Sequence, residues 1–62
     1  MKSLEECKAY FMDAFMDFLT YEDEEEELKF NTLKEALSFI YGSQYREIEN
    51  TWLQEGLNEF YS

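Results

Sequence analysis

The chain of 62 residues carries 15 acidic and five basic residues and no histidine, so its formal net charge is −10. One cysteine without histidine excludes an intrachain disulfide and leaves no plausible ligand set for zinc or an iron–sulfur cluster. The negative charge disfavours direct binding to DNA, RNA or an anionic membrane surface and favours a basic partner. No apolar stretch approaches the roughly 18–20 residues of a membrane span, and we expect a cytoplasmic protein.

Aromatic residues supply most of the expected core. The chain has six Phe, five Tyr and one Trp, and each can bury roughly 150–250 Å² of surface. For so short a chain we expect a free energy of unfolding of no more than ~3–5 kcal/mol. We therefore predict a single small acidic domain over residues 1–62.

The N-terminal segment predicts a long amphipathic helix. Ser3 and Glu6 form an S-x-x-E capping box, which predicts a helix that begins at Leu4. Asp13 and Asp17 lie on its narrow polar face. The apolar stripe follows spacings of three and four residues and consists of Leu4, Cys7, Phe11, Ala14, Phe15 and Phe18.

Six consecutive carboxylates, Glu22 to Glu27, follow this helix. Like charges four residues apart, such as Glu22 and Glu26, each destabilise a helix by a few tenths of a kcal/mol. We therefore expect residues 20–31 to be mainly an acidic loop. Leu28 and Phe30 alternate with charged residues, which allows a short extended segment that buries both side chains.

Two further helices complete the predicted all-α, three-helix domain, whose order is long helix, acidic loop, short helix and long helix. Thr32 and Glu35 form a second capping box, which predicts the start of the short helix. Gly42 and Ser43 predict a tight corner. The last helix should run from Gln44 to about Phe60.

The last helix has an apolar face that includes a glycine. The other residues of this face are Tyr45, Ile48, Trp52, Leu53, Leu57 and Phe60. Gly56 there predicts a close helix crossing. Lys8 and Glu49 interrupt the apolar arcs of the first and last helices. They either pair across the interface or extend to solvent.

The side chains available for catalysis are carboxylates, tyrosines, one thiol and a few amines. Cys7 lies on the apolar face without a histidine to activate it, so we expect a structural role. Paired-carboxylate catalysis needs an enclosed pocket, which so small a bundle can hardly form. The acidic run lacks the glycine turn and alternating ligands of an EF-hand loop. We predict no enzymatic activity, cofactor or metal site.

Two interpretations of the acidic run remain open. It is either a solvated segment that keeps an aromatic-rich protein soluble, or an imitation of a phosphate backbone. In the second case the acidic face of the first helix, about 16 Å long, continues into the run. Exposed aromatics such as Tyr10, Tyr21 or Tyr61 would add anchors. The predicted partner-binding residues are Asp13, Asp17, Glu22, Asp23, Glu24, Glu25, Glu26 and Glu27.

In size and charge the chain is similar to small acidic proteins, encoded by phages and other mobile elements, that imitate DNA and block host nucleases, restriction enzymes and nucleoid proteins. This similarity implies a non-enzymatic inhibitor or regulator of a basic, nucleic-acid-binding protein. The alternative is a homo-oligomeric structural or regulatory helical module, such as a homodimer. It would bind through an aromatic and Met-rich apolar face that includes Met12, Met16, Leu57 and Phe60.

Overall fold

The computed structural model describes residues 3–62 and contains three α-helices. α1 spans Leu4–Tyr21, α2 spans Glu24–Tyr41 and α3 spans Tyr45–Phe60, and a 3₁₀ turn, Gly42–Gln44, joins α2 to α3. None of residues 3–62 lies in a strand, and the predicted all-α class is confirmed. No helix in this range is long and apolar enough to cross a bilayer.

α1 begins where the capping box predicts. The Ser3 hydroxyl accepts a hydrogen bond from the backbone N–H of Glu6 at 3.2 Å, and the backbone of Ser3 is extended, as is usual for an N-cap residue. After Tyr21 the backbone of Glu22 is left-handed (φ 51°, ψ 29°), and its N–H donates to the Phe18 carbonyl. Two residues thus separate α1 from α2.

The predicted acidic loop over residues 20–31 is wrong. Asp23 is the N-cap of α2, and its carboxylate accepts a hydrogen bond from the backbone N–H of Glu26 at 2.8 Å. The four glutamates that follow occupy the first turn of α2. There the unpaired N–H groups and the helix dipole stabilise negative charge. This effect opposes the like-charge repulsion on which the loop prediction depended.

The predicted short helix from Thr32 is also wrong, because Thr32 lies in the middle of the 18-residue α2. Its T-x-x-E sequence therefore does not cap a helix. Phe30 and Leu37 are buried on either side of Thr32, and their packing favours a continuous helix. Leu28 is exposed rather than buried beside Phe30, because residues two apart on a helix point about 200° away from each other.

The corner predicted at Gly42 and Ser43 is a 3₁₀ turn. Gly42 has φ 62° and ψ −137°, a region that residues with a side chain rarely adopt. α3 begins at Tyr45, one residue after the predicted start, and ends at Phe60 as predicted.

Aromatic rings from all three helices form the core. Phe11 of α1 is fully buried, and its ring centroid lies 5.1 Å from that of Phe30 on α2 and 5.2 Å from that of Trp52 on α3. Phe15 stacks on Phe30 at 5.1 Å. Such aromatic pairs contribute about 0.5–1.5 kcal/mol beyond the burial of their area. The first helix is thus contacted from two sides.

α1 and α2 pack antiparallel. Near the end of α1, Phe18 stacks on Phe30 of α2 at 5.9 Å between ring centroids. Near the start of α1, the buried Cys7 interacts with Tyr41, the last residue of α2. This interaction, together with desolvation, raises the pKa of the Tyr41 hydroxyl. The end of α1 and the start of α2 therefore meet at one end of the bundle.

α1 and α3 approach each other closely at Gly56, as its position on the apolar face predicts. A Cβ atom at Gly56 would lie 2.6 and 2.7 Å from two carbons of the Phe15 ring and 3.3 Å from Cε of Met16. Real Cβ atoms essentially never come this close to a ring carbon. α1 and α3 can therefore pack this closely only because Gly56 has no side chain.

The ion pair between Lys8 and Glu49, one of the two predicted alternatives, is not formed. Lys8 of α1 pairs with Glu55 of α3, and Glu49 of α3 pairs with Lys34 of α2 at 3.8 Å. The longer α2 supplies Lys34, whose amine also lies 4.6 Å from the centroid of the Phe30 ring. Partly exposed pairs of this kind contribute about 0–1 kcal/mol.

Candidate functional site

The acidic run forms the corner between α1 and α2, here called the acidic corner (Glu22–Glu27). Glu22 ends α1 and Asp23 caps α2, and the next four residues form the first helical turn. All are exposed except Glu26, which is half-buried. The carboxylates are therefore presented by a helix terminus rather than by an irregular loop.

One cation lies two residues after the acidic corner in the sequence. Lys29 pairs with Glu25 and Glu26 at 3.6 Å each, and these carboxylates, Glu26 foremost, raise the pKa of Lys29. Among residues 3–62, the other glutamates of the corner have no cationic partner. These are Glu22, Glu24 and Glu27.

Asp13 and Asp17 lie on α1, about two turns and one turn before its end. Asp13 is exposed, whereas Asp17 is half-buried. Because α2 folds back along α1, the acidic corner does not extend the acidic face of α1 in a straight line. The acidic corner and Asp17 lie towards the end of the bundle where the two helices meet, whereas Asp13 lies near the middle of α1.

The tyrosines predicted as exposed anchors are exposed. Tyr21 directly precedes the acidic corner, and Tyr10 lies further towards the start of α1. Tyr61 follows the end of α3 and packs edge-on against Phe60, with 5.1 Å between the ring centroids. Only Tyr21 is adjacent to the acidic corner in sequence.

The Met-rich face predicted for self-association is mostly occupied by internal contacts. Met12, Met16 and Leu57 are partly buried and pack against the core, and Phe60 is the only one of the four predicted residues that is exposed. Their burial follows from the close approach of α1 and α3. These four residues therefore do not form a large open apolar face.

α2 carries an exposed apolar stripe that the sequence interpretation missed. Leu28 is 66% exposed and Phe39 is 82% exposed. Leu28 precedes the buried Leu37 by nine residues, and Phe39 follows the buried Phe30 by nine residues. Nine residues are two and a half turns, so both side chains point away from the core. The stripe, here called the outer stripe, consists of Leu28, Thr32, Ala36, Phe39 and Ile40.

The signal for the outer stripe was present in the sequence. Leu28, Thr32, Ala36 and Phe39 follow the helical spacing i, i+4, i+8 and i+11. The predicted loop over residues 20–31 assigned Leu28 to a different element from Phe39. The stripe becomes visible only when both residues belong to one helix.

A groove of about 320 Å³ lies between the start of α1 and α3. Its lining residues are Leu4, Glu47, Ile48, Thr51 and Trp52. Glu47 is the only titratable side chain among them, so the lining offers no acid–base pair. Within residues 3–62, no three His, Cys, Asp or Glu side chains are placed to bind a metal ion.

Comparison with known proteins assigns no family. The chain matches no protein-family model, no curated protein and no solved structure. A function is therefore inferred from the acidic corner and the outer stripe.

Proposed function

We propose that this protein is a non-enzymatic inhibitor or regulator that binds a basic, nucleic-acid-handling protein through the acidic corner, together with Asp13 and Asp17. The observation that carries this proposal is the group of exposed carboxylates in the acidic corner, in a chain whose net charge is −10. Such a group steers a basic partner during association and is complementary to a surface that binds phosphates.

The helical geometry of the acidic corner supports this proposal. Ordering a flexible segment on binding costs free energy, and a preformed surface avoids most of this cost. Asp23 and the first turn of α2 hold the carboxylates in place before any partner is bound. The protein would therefore compete with DNA as a compact acidic end rather than as a long acidic ribbon.

The test is capture from lysate on immobilised protein, with and without excess duplex DNA and over a series of salt concentrations. The variant is Glu22→Gln with Glu24→Gln and Glu27→Gln, because these residues neither cap α2 nor pair with Lys29. We expect the wild type to capture basic nucleic-acid-binding proteins that DNA displaces, and the variant to capture at least about tenfold less.

A matched control removes three exposed carboxylates elsewhere, through Glu5→Gln, Glu47→Gln and Glu59→Gln. It changes the net charge equally but leaves the acidic corner intact, so we expect it to retain most of the capture. Equal loss in both triple variants, or capture that ignores DNA and salt, would contradict a role for the acidic corner. Far-UV circular dichroism checks that each variant folds.

Self-association is the second candidate, and the outer stripe is the observation that favours it. In that case a second copy would cover Leu28 and Phe39. Sedimentation velocity over a range of protein concentrations tests this candidate. If the protein self-associates through the outer stripe, we expect a complex that salt barely affects. The double change Leu28→Ser with Phe39→Ser should abolish this complex.

A further inference from the structure

We infer that the outer stripe of α2 is a docking surface for a basic amphipathic helix of the partner protein. This inference rests on the proposed function and names the partner segment. It depends on two features of α2 that lie side by side: an exposed apolar stripe and an acidic margin.

The apolar part of the surface has the shape that a helix requires. From Leu28 to Phe39 the outer stripe rises about 16 Å along α2, which matches about three turns of a partner helix. Phe39 is its most exposed side chain. A large exposed aromatic is the kind of residue that anchors an interface, and Leu28 and Ile40 would extend the contact with the apolar face of the partner.

One margin of the outer stripe is acidic, and so is its N-terminal end. Glu24 and Glu35 lie along one margin of the outer stripe on the helical wheel, and Glu25 lies within the arc of the stripe, at its N-terminal end. All three side chains are exposed. Lys29 is the one basic residue along the stripe, and it is paired with Glu25 and Glu26. Lysine or arginine residues along one side of an apolar helix face, and over the start of α2, would therefore meet carboxylates.

The same charges disfavour a second copy of this chain as the occupant. Two copies packed through α2 would bring two acidic margins together, and each copy has a net charge of −10. Like charges placed against each other across an interface oppose association. A basic partner helix replaces this repulsion with attraction, while it covers the same apolar side chains.

The experiment measures binding of fluorescent peptides to the full chain by anisotropy. The main probe is a Leu–Lys model peptide that folds as an amphipathic helix. Two further probes separate the contribution of charge from that of apolar contact. Oligolysine has positive charge without an apolar face, and a Leu–Glu helix has an apolar face with the opposite charge.

The protein variants are Leu28→Ser with Phe39→Ser, and the control Leu4→Ser with Tyr61→Ser. The control removes an exposed leucine and an exposed aromatic outside the outer stripe.

We expect the Leu–Lys helix to bind more tightly than oligolysine and much more tightly than the Leu–Glu helix. The change Leu28→Ser with Phe39→Ser should weaken Leu–Lys binding by at least about tenfold. It should leave oligolysine binding unchanged, because oligolysine requires only the carboxylates. The control variant should bind within about twofold of wild type, since its altered side chains lie outside the contact.

Three results would overturn the inference. If oligolysine binds as tightly as the Leu–Lys helix and only the acidic-corner variant weakens both, the proposed function stands and the outer stripe has no part in it. If the Leu–Glu helix binds as tightly as the Leu–Lys helix, charge does not select the partner and the proposed function fails as well. If sedimentation shows a dimer that Leu28→Ser with Phe39→Ser converts to a monomer, the occupant is a second copy.

Discussion

At Gly56 a single hydrogen atom, in place of a side chain, determines how closely α1 and α3 pack. Glycine inside a helix usually costs roughly 0.5–1 kcal/mol relative to alanine. At this position the preference should reverse, because a Cβ atom would meet the Phe15 ring at 2.6 Å. That ring is buried and stacked on Phe30, so it has little room to move.

We predict that Gly56→Ala lowers the free energy of unfolding by about 1–3 kcal/mol through overpacking. Urea denaturation followed by circular dichroism measures this change. Asn50→Ala is the control, because Asn50 is exposed on the same helix and its replacement should be neutral or slightly stabilising. If Gly56→Ala stabilises the protein as well, the close approach of α1 and α3 is not a packing constraint.

The Tyr45 hydroxyl is buried and has no hydrogen-bond partner among residues 3–62. Desolvation, and to a smaller extent the carboxylate of Glu49, raises the pKa of Tyr45 above its usual value near 10. The native state therefore retains this proton at pH values where the unfolded chain has lost it. The stability linked to Tyr45 is fully present below about pH 10 and is lost as the pH rises further.

We predict that Tyr45→Phe leaves the free energy of unfolding at pH 7 unchanged or raises it by about 1 kcal/mol, because it removes an unpaired buried hydroxyl. The loss of stability between pH 9 and pH 11 should also become smaller. Urea denaturation at both pH values measures these effects. Tyr61→Phe is the control, since Tyr61 is exposed. A marked loss of stability at pH 7 would indicate that the hydroxyl has a partner after all.

At the scale of the elements, α1 was predictable and α2 was not. Ser3 and Glu6 gave the correct start of α1, because a capping box at an open helix end satisfies unpaired N–H groups. Asp23 and Glu26 have the same spacing, with Asp23 as the cap. Repulsion among the glutamates predicts a loop, whereas their favourable position at a helix start stabilises the helix that forms. The Thr32 and Glu35 pair has the same form, yet it lies inside a helix.

The residues of the candidate site were predictable from the sequence, but their arrangement was not. The acidic residues themselves are evident from composition, but their arrangement depends on where α2 begins. The outer stripe depends on it even more, since Leu28 and Phe39 share a face only if the helix is continuous through Thr32. Burial of Phe30 and Leu37, a tertiary effect, is not visible in local spacing alone.

We predict that Asp23→Ala lowers the free energy of unfolding by about 0.5–2 kcal/mol, because the 2.8 Å hydrogen bond to the Glu26 N–H is lost. Asp23→Asn keeps an oxygen acceptor at the same position and should retain most of the stability. Urea denaturation measures the free energy of unfolding of both variants and of the wild type. If both lose the same amount, charge at the helix start matters more than the cap.

At the scale of the whole molecule, charge opposes compactness. Fifteen acidic residues face five basic ones, and the ion pairs among residues 3–62, such as Lys8 with Glu55 and Lys34 with Glu49, are partly exposed. Partly exposed pairs are weak, whereas repulsion among the excess carboxylates acts over the whole surface. Added salt screens both the attraction within ion pairs and the repulsion among carboxylates. The larger of the two effects decides whether the free energy of unfolding falls or rises with salt.

We predict that the free energy of unfolding rises as sodium chloride is increased from about 0.01 M to 0.5 M, because screening relieves self-repulsion. Urea denaturation at several salt concentrations measures the slope. The variant with Glu22→Gln, Glu24→Gln and Glu27→Gln should show a smaller slope, since it carries less excess charge. A fall in stability with salt would mean that the ion pairs outweigh the repulsion.

The position of Trp52 gives the protein an internal optical reporter. It is the only tryptophan in the chain, and it is buried with its ring beside Phe11 of α1. Its fluorescence emission should lie at shorter wavelength in the native state than in the denatured chain, where water surrounds the indole. The red shift therefore follows the separation of α3 from α1, and a stopped-flow trace can time this event without an added label.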